Sequence, residues 1–197
     1  MLHSRGSRVE DVSFAKWRQV SIALRDISYT DIYHRLAEAQ AYNVKMLDGA
    51  LIQMMYSFQA EVVHRHRLAF FPSPHLEEFH NNPEIYLDDE LYAEVVANNI
   101  VPVPIRFDYD KRYQGAEDDG DDVYAHPVSH VTLGQYENCR IPVSAPVAPH
   151  RFVEFILRCF YHRAFVRRFG RLPGVVRGFH ETIRPEERDT IHVVVPG

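Results

Sequence analysis

The dipeptide Asp48-Gly49, followed by apolar residues at Ile52, Met54, Tyr56 and Phe58, constrains the fold of this chain more than any other stretch. Asp-Gly supplies the backbone of a tight hairpin turn, and apolar residues at every second position line one face of a strand. Gln53 and Ser57 fall on the other face, so a half-buried strand is expected over 51–58. Residues 61–71, EVVHRHRLAFF, read as its antiparallel neighbour, ended by Pro72 and Pro74. Within it His64 and His66 alternate with Arg65 and Arg67, and neither face is plainly core. The favoured reading is a sheet edge guarded by charges; an RNA-facing strand is the alternative.

The same periodicity organises the rest. Ser7 with Glu10 has capping-box spacing, which predicts a helix to about residue 24 after a frayed, disordered stretch at 1–6. Thr30 or Asp31 caps a second helix running to around Tyr42. DDELYAEVVANN at 88–99 is helical, with its acids in the first turn. Strand signals return over 101–110, and after a polar loop at 111–125 they resume in SHVTLGQ at 129–135 and RIPVS at 140–144. Pro149 opens a long helix, stopped by Gly170, whose Phe152, Phe155, Ile156, Cys159 and Phe160 recur at three and four. The tail, 187–197, supplies a last short strand. Hairpins dominate and the helices sit at the ends, so the expected class is α+β: an antiparallel sheet of about five strands packed with N-terminal helices and a long C-terminal helix.

With 197 residues and no internal repeat or linker, the chain is expected to form a single domain. No segment approaches the roughly 20 apolar residues of a membrane span, and the N-terminus lacks an apolar signal core. Cys139 and Cys159 have neither disulfide nor zinc-knuckle spacing, so a reducing cytoplasm, with no membrane partner, is expected. A net charge of -5 argues against a general nucleic-acid coat. Its distribution matters more. Acids crowd residues 108–122, whereas Arg151, Arg158, Arg163, Arg167, Arg168, Arg171 and Arg177 crowd 151–177. One pole would face an anionic partner, or the acidic loop lies over the basic helix.

The chemistry-bearing residues gather between 106 and 140. On the strand around 106, Ile105, Phe107 and Tyr109 alternate with Arg106, Asp108 and Asp110; on the later strand Val131 and Leu133 alternate with His130 and Thr132. Pairing the two strands assembles Arg106, Asp108, His130 and Thr132 on one face. A carboxylate beside an imidazole fixes its tautomer and tunes it as an acid or base near neutral pH, and an arginine stabilises developing negative charge. Arg106, Asp108 and His130 are therefore the candidate catalytic set, with Asp110, His126, Thr132, Gln135 and Arg140 in support and Arg65 and Arg158 as candidate phosphate contacts. The same residue types also arise as ordinary cross-strand surface pairs. A metal reading would take His126 and His130 with Asp108 or Asp110, but Pro127 disfavours the helix on which that spacing would matter. No cofactor is expected, a divalent metal being the disfavoured alternative.

RLAFFPSP, IRFDYD, HPVSHVTLGQYENCRIPVSAPVAP and FVEFILRCFY together resemble the bacterial family of domain of unknown function 2290, over about 10–195. A looser similarity, confined to the order strand, RxDxD-like element, loop and HPxxH-like element, is to the TumE-type toxins of toxin and antitoxin pairs. That similarity implies a conflict or defence protein acting on RNA or nucleotides, with Asp108 and His130 at the matching positions. Three function classes follow: an RNA-directed nuclease using His130 as acid or base, a non-catalytic module docking a partner enzyme encoded nearby, and a metal-dependent hydrolase.

Overall fold

In the computed structural model, which describes residues 9–14, 27–74, 103–113, 126–136, 138–174 and 177–196, the alternating segments form one antiparallel sheet. Its strands are β1 (Val9–Val12), β2 (Val44–Lys45), β3 (Leu51–Gln59), β4 (Val62–Phe71), β5 (Ile105–Asp110), β6 (Ser129–Leu133) and β7 (Ile141–Pro142). They lie in the order β1-β3-β4-β5-β6-β7, with β2 also pairing β3. The described α-helices are α1 (Tyr29–Glu38), α2 (Pro149–Phe160), α3 (His162–Arg168) and α4 (Pro185–Arg188). The chain is thus α+β with an antiparallel sheet, and five of its strands are four residues or longer.

Local chemistry sets the register. Gly49 takes φ +86° between β2 and β3, and Asp48 Oδ1 accepts from the Ala50 N–H at 3.1 Å, so Asp48-Gly49 turns the chain as its sequence requires. Lys45 then faces Leu51. Between β3 and β4, Ala60 and Glu61 both adopt positive φ, the backbone of a two-residue hairpin loop.

The sheet is covered on both faces. Ile52, Tyr56, Leu68, Phe70, Phe107, Tyr109 and Val131 form a core with Phe152 and Ile156 of α2. Those last two are fully buried, each contributing about 1.5–3 kcal/mol of transfer free energy. On the opposite face Leu51, Ala69 and Phe71 pack with Ile32, Tyr33 and Leu36 of α1. Leu51 and Gln53, on the face predicted to be solvated, are accordingly buried.

Several expectations are corrected. Where a helix from Ser7 was expected, Val9–Val12 is β1, because the exposed edge of β3 offers its backbone a ladder; the rest of that helix lies outside the described residues. The next helix is capped by Ser28, whose hydroxyl accepts from the Asp31 N–H, and ends at Glu38, where Gln40 at φ +52° closes it. β4 is not a sheet edge: β3 and β5 flank it. The long C-terminal helix breaks at Tyr161, whose φ is -131° and whose hydroxyl donates to Asp48 Oδ2 at 2.8 Å. The 140–144 strand shrinks to Ile141–Pro142, and among the described residues the tail contributes a parallel bridge from Val193 to Val143 rather than a strand. The 88–99 helix and most of the acidic loop lie outside the described residues. Among the described residues, no helix is long and apolar enough to cross a membrane.

Candidate functional site

On the α1 side of the sheet, beyond the small apolar cluster, polar residues meet in rows across β4, β5 and β6. Arg65 opposes Asp110, Arg67 opposes Asp108, and Asp108 opposes His130; one step along, Ala69, Arg106 and Thr132 form the next row. Backbone pairing therefore brings together Arg106, Asp108, His130 and Thr132, the four side chains that strand parity had placed on one face. It adds Arg67, whose opposition to Asp108 only the cross-strand register reveals.

Asp108 is the hub. Its Oδ1 accepts from Arg67 Nε at 2.9 Å and its Oδ2 from Arg106 Nε at 2.5 Å. Burial pushes its carboxyl up, but the two guanidinium groups outweigh this and hold it below the usual carboxylate range. Each arginine meets the carboxylate through its Nε, and a guanidinium group carries further N–H donors at its Nη atoms. Asp110 repeats the theme nearer the strand end: Arg112 grips it through Nε and Nη2, with Arg65 Nε at 3.9 Å.

His130 sits at 5% exposure beside this hub. Its Nδ1 is 3.0 Å from the Pro127 carbonyl, a contact in which only Nδ1–H can donate, so the neutral ring carries its lone pair on Nε2. That Nε2 lies 4.0 Å from Asp108 Oδ2. Burial lowers the imidazole's pKa, and the nearby Asp108 charge only partly offsets it. The backbone carbonyl of Pro127 thus orients the histidine, while Asp108 orients the arginines. His126 lies against His130 with ring centroids 5.3 Å apart and planes near perpendicular, and Tyr113 stacks on His126 at 4.1 Å. Burial, followed by the charge of Arg140, lowers the His126 pKa as well. Thr132 Oγ1 and His126 Nδ1 are buried with no hydrogen-bond partner among the described residues.

The remaining candidates are placed differently. Gln135 follows β6 and donates from Nε2 to the Ile27 carbonyl at 3.0 Å. Arg158 is exposed on α2, which packs on the other side of the sheet, away from Asp108. Sequence reading missed Tyr113, since a ring in a polar loop carries no periodic signal. Among the described residues, no three His, Cys, Asp or Glu side chains are grouped to hold a metal ion.

A family model described as "Uncharacterized conserved protein (DUF2290)" matches residues 1–195. No curated protein and no solved structure matches the chain.

Proposed function

Since the chain belongs to the DUF2290 family of uncharacterized conserved proteins, we propose on the strength of its own geometry that it cleaves phosphodiester bonds in RNA or a nucleotide. His130 Nε2 takes the proton of an attacking hydroxyl, and Arg67 and Arg106 hold the phosphate and stabilise its developing charge. Asp108 is a positioning residue that aims both arginines. The observation that carries this reading is the clamp itself: one ionised carboxylate binds two guanidinium groups through their Nε atoms, beside an imidazole whose tautomer leaves Nε2 as a base. The cellular role that fits is a toxin-like or defence effector in a bacterial cytoplasm.

The test is cleavage of a mixed oligoribonucleotide by purified protein, together with growth and RNA integrity on induced expression. His130→Ala should lower the rate by about 100-fold or more while leaving the fold intact. A folded His130→Ala variant with full activity, or an inert wild type, refutes the reading.

A second reading has its own observation. Arg158, Arg163, Arg167, Arg168 and Arg171 are all exposed along α2, α3 and the turn that follows, a basic surface suited to an acidic protein partner. Partner binding of that kind weakens steeply with salt and survives His130→Ala.

A further inference from the structure

We propose that His126 is the second proton-transfer group of the site, the acid that protonates the leaving oxygen, and that the substrate is therefore RNA cleaved by its own 2′-hydroxyl. This rests on the phosphodiester reading above and extends it to a substrate class. In-line displacement at phosphorus needs a base at the entering oxygen and an acid at the departing one. The fold supplies two imidazoles in edge-to-face contact, with ring centroids 5.3 Å apart and an interplanar angle of 87°.

Two contacts and a rigid neighbour fix His126 in place. Tyr113 covers one face of the ring at 4.1 Å and 27°. Arg184 Nη2 reaches the His126 carbonyl at 3.4 Å, and Pro127 restrains the backbone just beyond it. The Nδ1 atom is buried without a hydrogen-bond partner among the described residues, so proton exchange with substrate belongs to Nε2. A bound phosphate brings negative charge beside this imidazole and favours its protonated form.

Protons balance through the two histidines: His130 ends protonated and His126 neutral, and exchange with water restores both. His130 Nε2 removes the 2′-hydroxyl proton and the 2′-oxygen bonds to phosphorus. The bond from phosphorus to the 5′-oxygen breaks, and that oxygen takes its proton from His126 Nε2. The products are a 2′,3′-cyclic phosphate and a free 5′-hydroxyl. No oxidant or reductant is involved, and DNA, which lacks the nucleophile, is not cleaved.

Leaving-group dependence separates the two histidines. The full chain is assayed on a uridylyl dinucleotide, whose 5′-oxygen must be protonated to leave, and on uridine 3′-(4-nitrophenyl phosphate), whose leaving group departs without a proton. His126→Ala should lose about 100-fold or more on the dinucleotide yet stay within a few-fold of wild type on the nitrophenyl ester. His130→Ala should lose activity on both. Retained turnover of the ester shows that the His126→Ala protein is folded. Equal loss on both substrates, or no loss on either, overturns the role of His126 and leaves the phosphodiester reading standing. Cleavage of the matching deoxy dinucleotide by wild type overturns the 2′-hydroxyl mechanism. A wild type inert on both ribose substrates overturns the reading and this inference together.

Discussion

Acidification should destabilise the protein through His66 while Asp108 is still ionised. His66 lies on β4 in the main core, 1% exposed between the rings of Tyr56 and Tyr109. Its Nε2 accepts from the Val147 N–H at 3.0 Å, and its Nδ1 makes no hydrogen bond of good geometry among the described residues. Burial lowers its pKa from 6.5 to about 4. Because the folded-state value is depressed, the unfolded chain binds the proton more readily, so stability falls as pH drops from 6.5 toward 4. The full depression corresponds to about 3.4 kcal/mol, of which about 2 kcal/mol is lost by pH 5. Asp108, also held below its ordinary value, contributes stability that is lost mainly as pH falls through and below the unfolded carboxylate range, so its loss lies largely under the pH 7 to pH 5 interval. Urea unfolding followed by far-ultraviolet circular dichroism at pH 7 and pH 5 reads a sum. His126 and His130, also lowered by burial, add to it in the same direction, and Asp48, pushed up by burial, in the opposite one, so the share of His66 is read by comparison with a variant. In His66→Gln, where the amide oxygen can still accept from Val147, the loss between the two pH values should shrink by about 2 kcal/mol, whatever the substitution costs at pH 7. Equal losses in wild type and variant would refute the assignment.

Other outcomes follow from single contacts. Tyr161→Phe removes the donor to Asp48, whose carboxyl burial already pushes up, and should cost about 1–3 kcal/mol in urea unfolding. Gly49→Ala forces a left-handed backbone and sets a Cβ 3.1 Å from Ser73 Cβ and 3.2 Å from the Tyr33 hydroxyl, so a loss of about 1–2 kcal/mol is expected by the same assay. Asp108→Asn unpairs both arginines and should lower stability by about 2–3 kcal/mol, below the usual cost of breaking a fully buried pair because Arg67 is 43% exposed. It should also raise KM for oligoribonucleotide more than it lowers kcat, since the arginines bind phosphate in the ground state as well as the transition state.

The sheet was legible in the sequence because its signals are local: alternation at Ile52 to Phe58 and at Ile105 to Asp110, and a turn at Asp48-Gly49. The shared face of Arg106, Asp108, His130 and Thr132 followed from parity alone. What parity cannot supply is register and coverage. That Arg67 rather than Arg65 meets Asp108 depends on which residues pair across β4 and β5. That His66 is core and β4 interior depends on distant partners, Val147 and β5, which hide a strand whose own composition reads as an edge. The capping-box spacing at Ser7 and Glu10 misled for the complementary reason: a free backbone edge on β3 outcompeted a local helix signal at Val9–Val12.

The polar rows run across three adjacent interior strands, each held on both sides by a neighbour. A site on a loop can melt while its domain survives, but here a slip of one residue would turn Arg67, Asp108 and His130 toward α2 and end the sheet's own packing. Their backbone amides should exchange with solvent deuterium only through whole-sheet opening, and heat should inactivate the protein along the same curve on which the sheet unfolds.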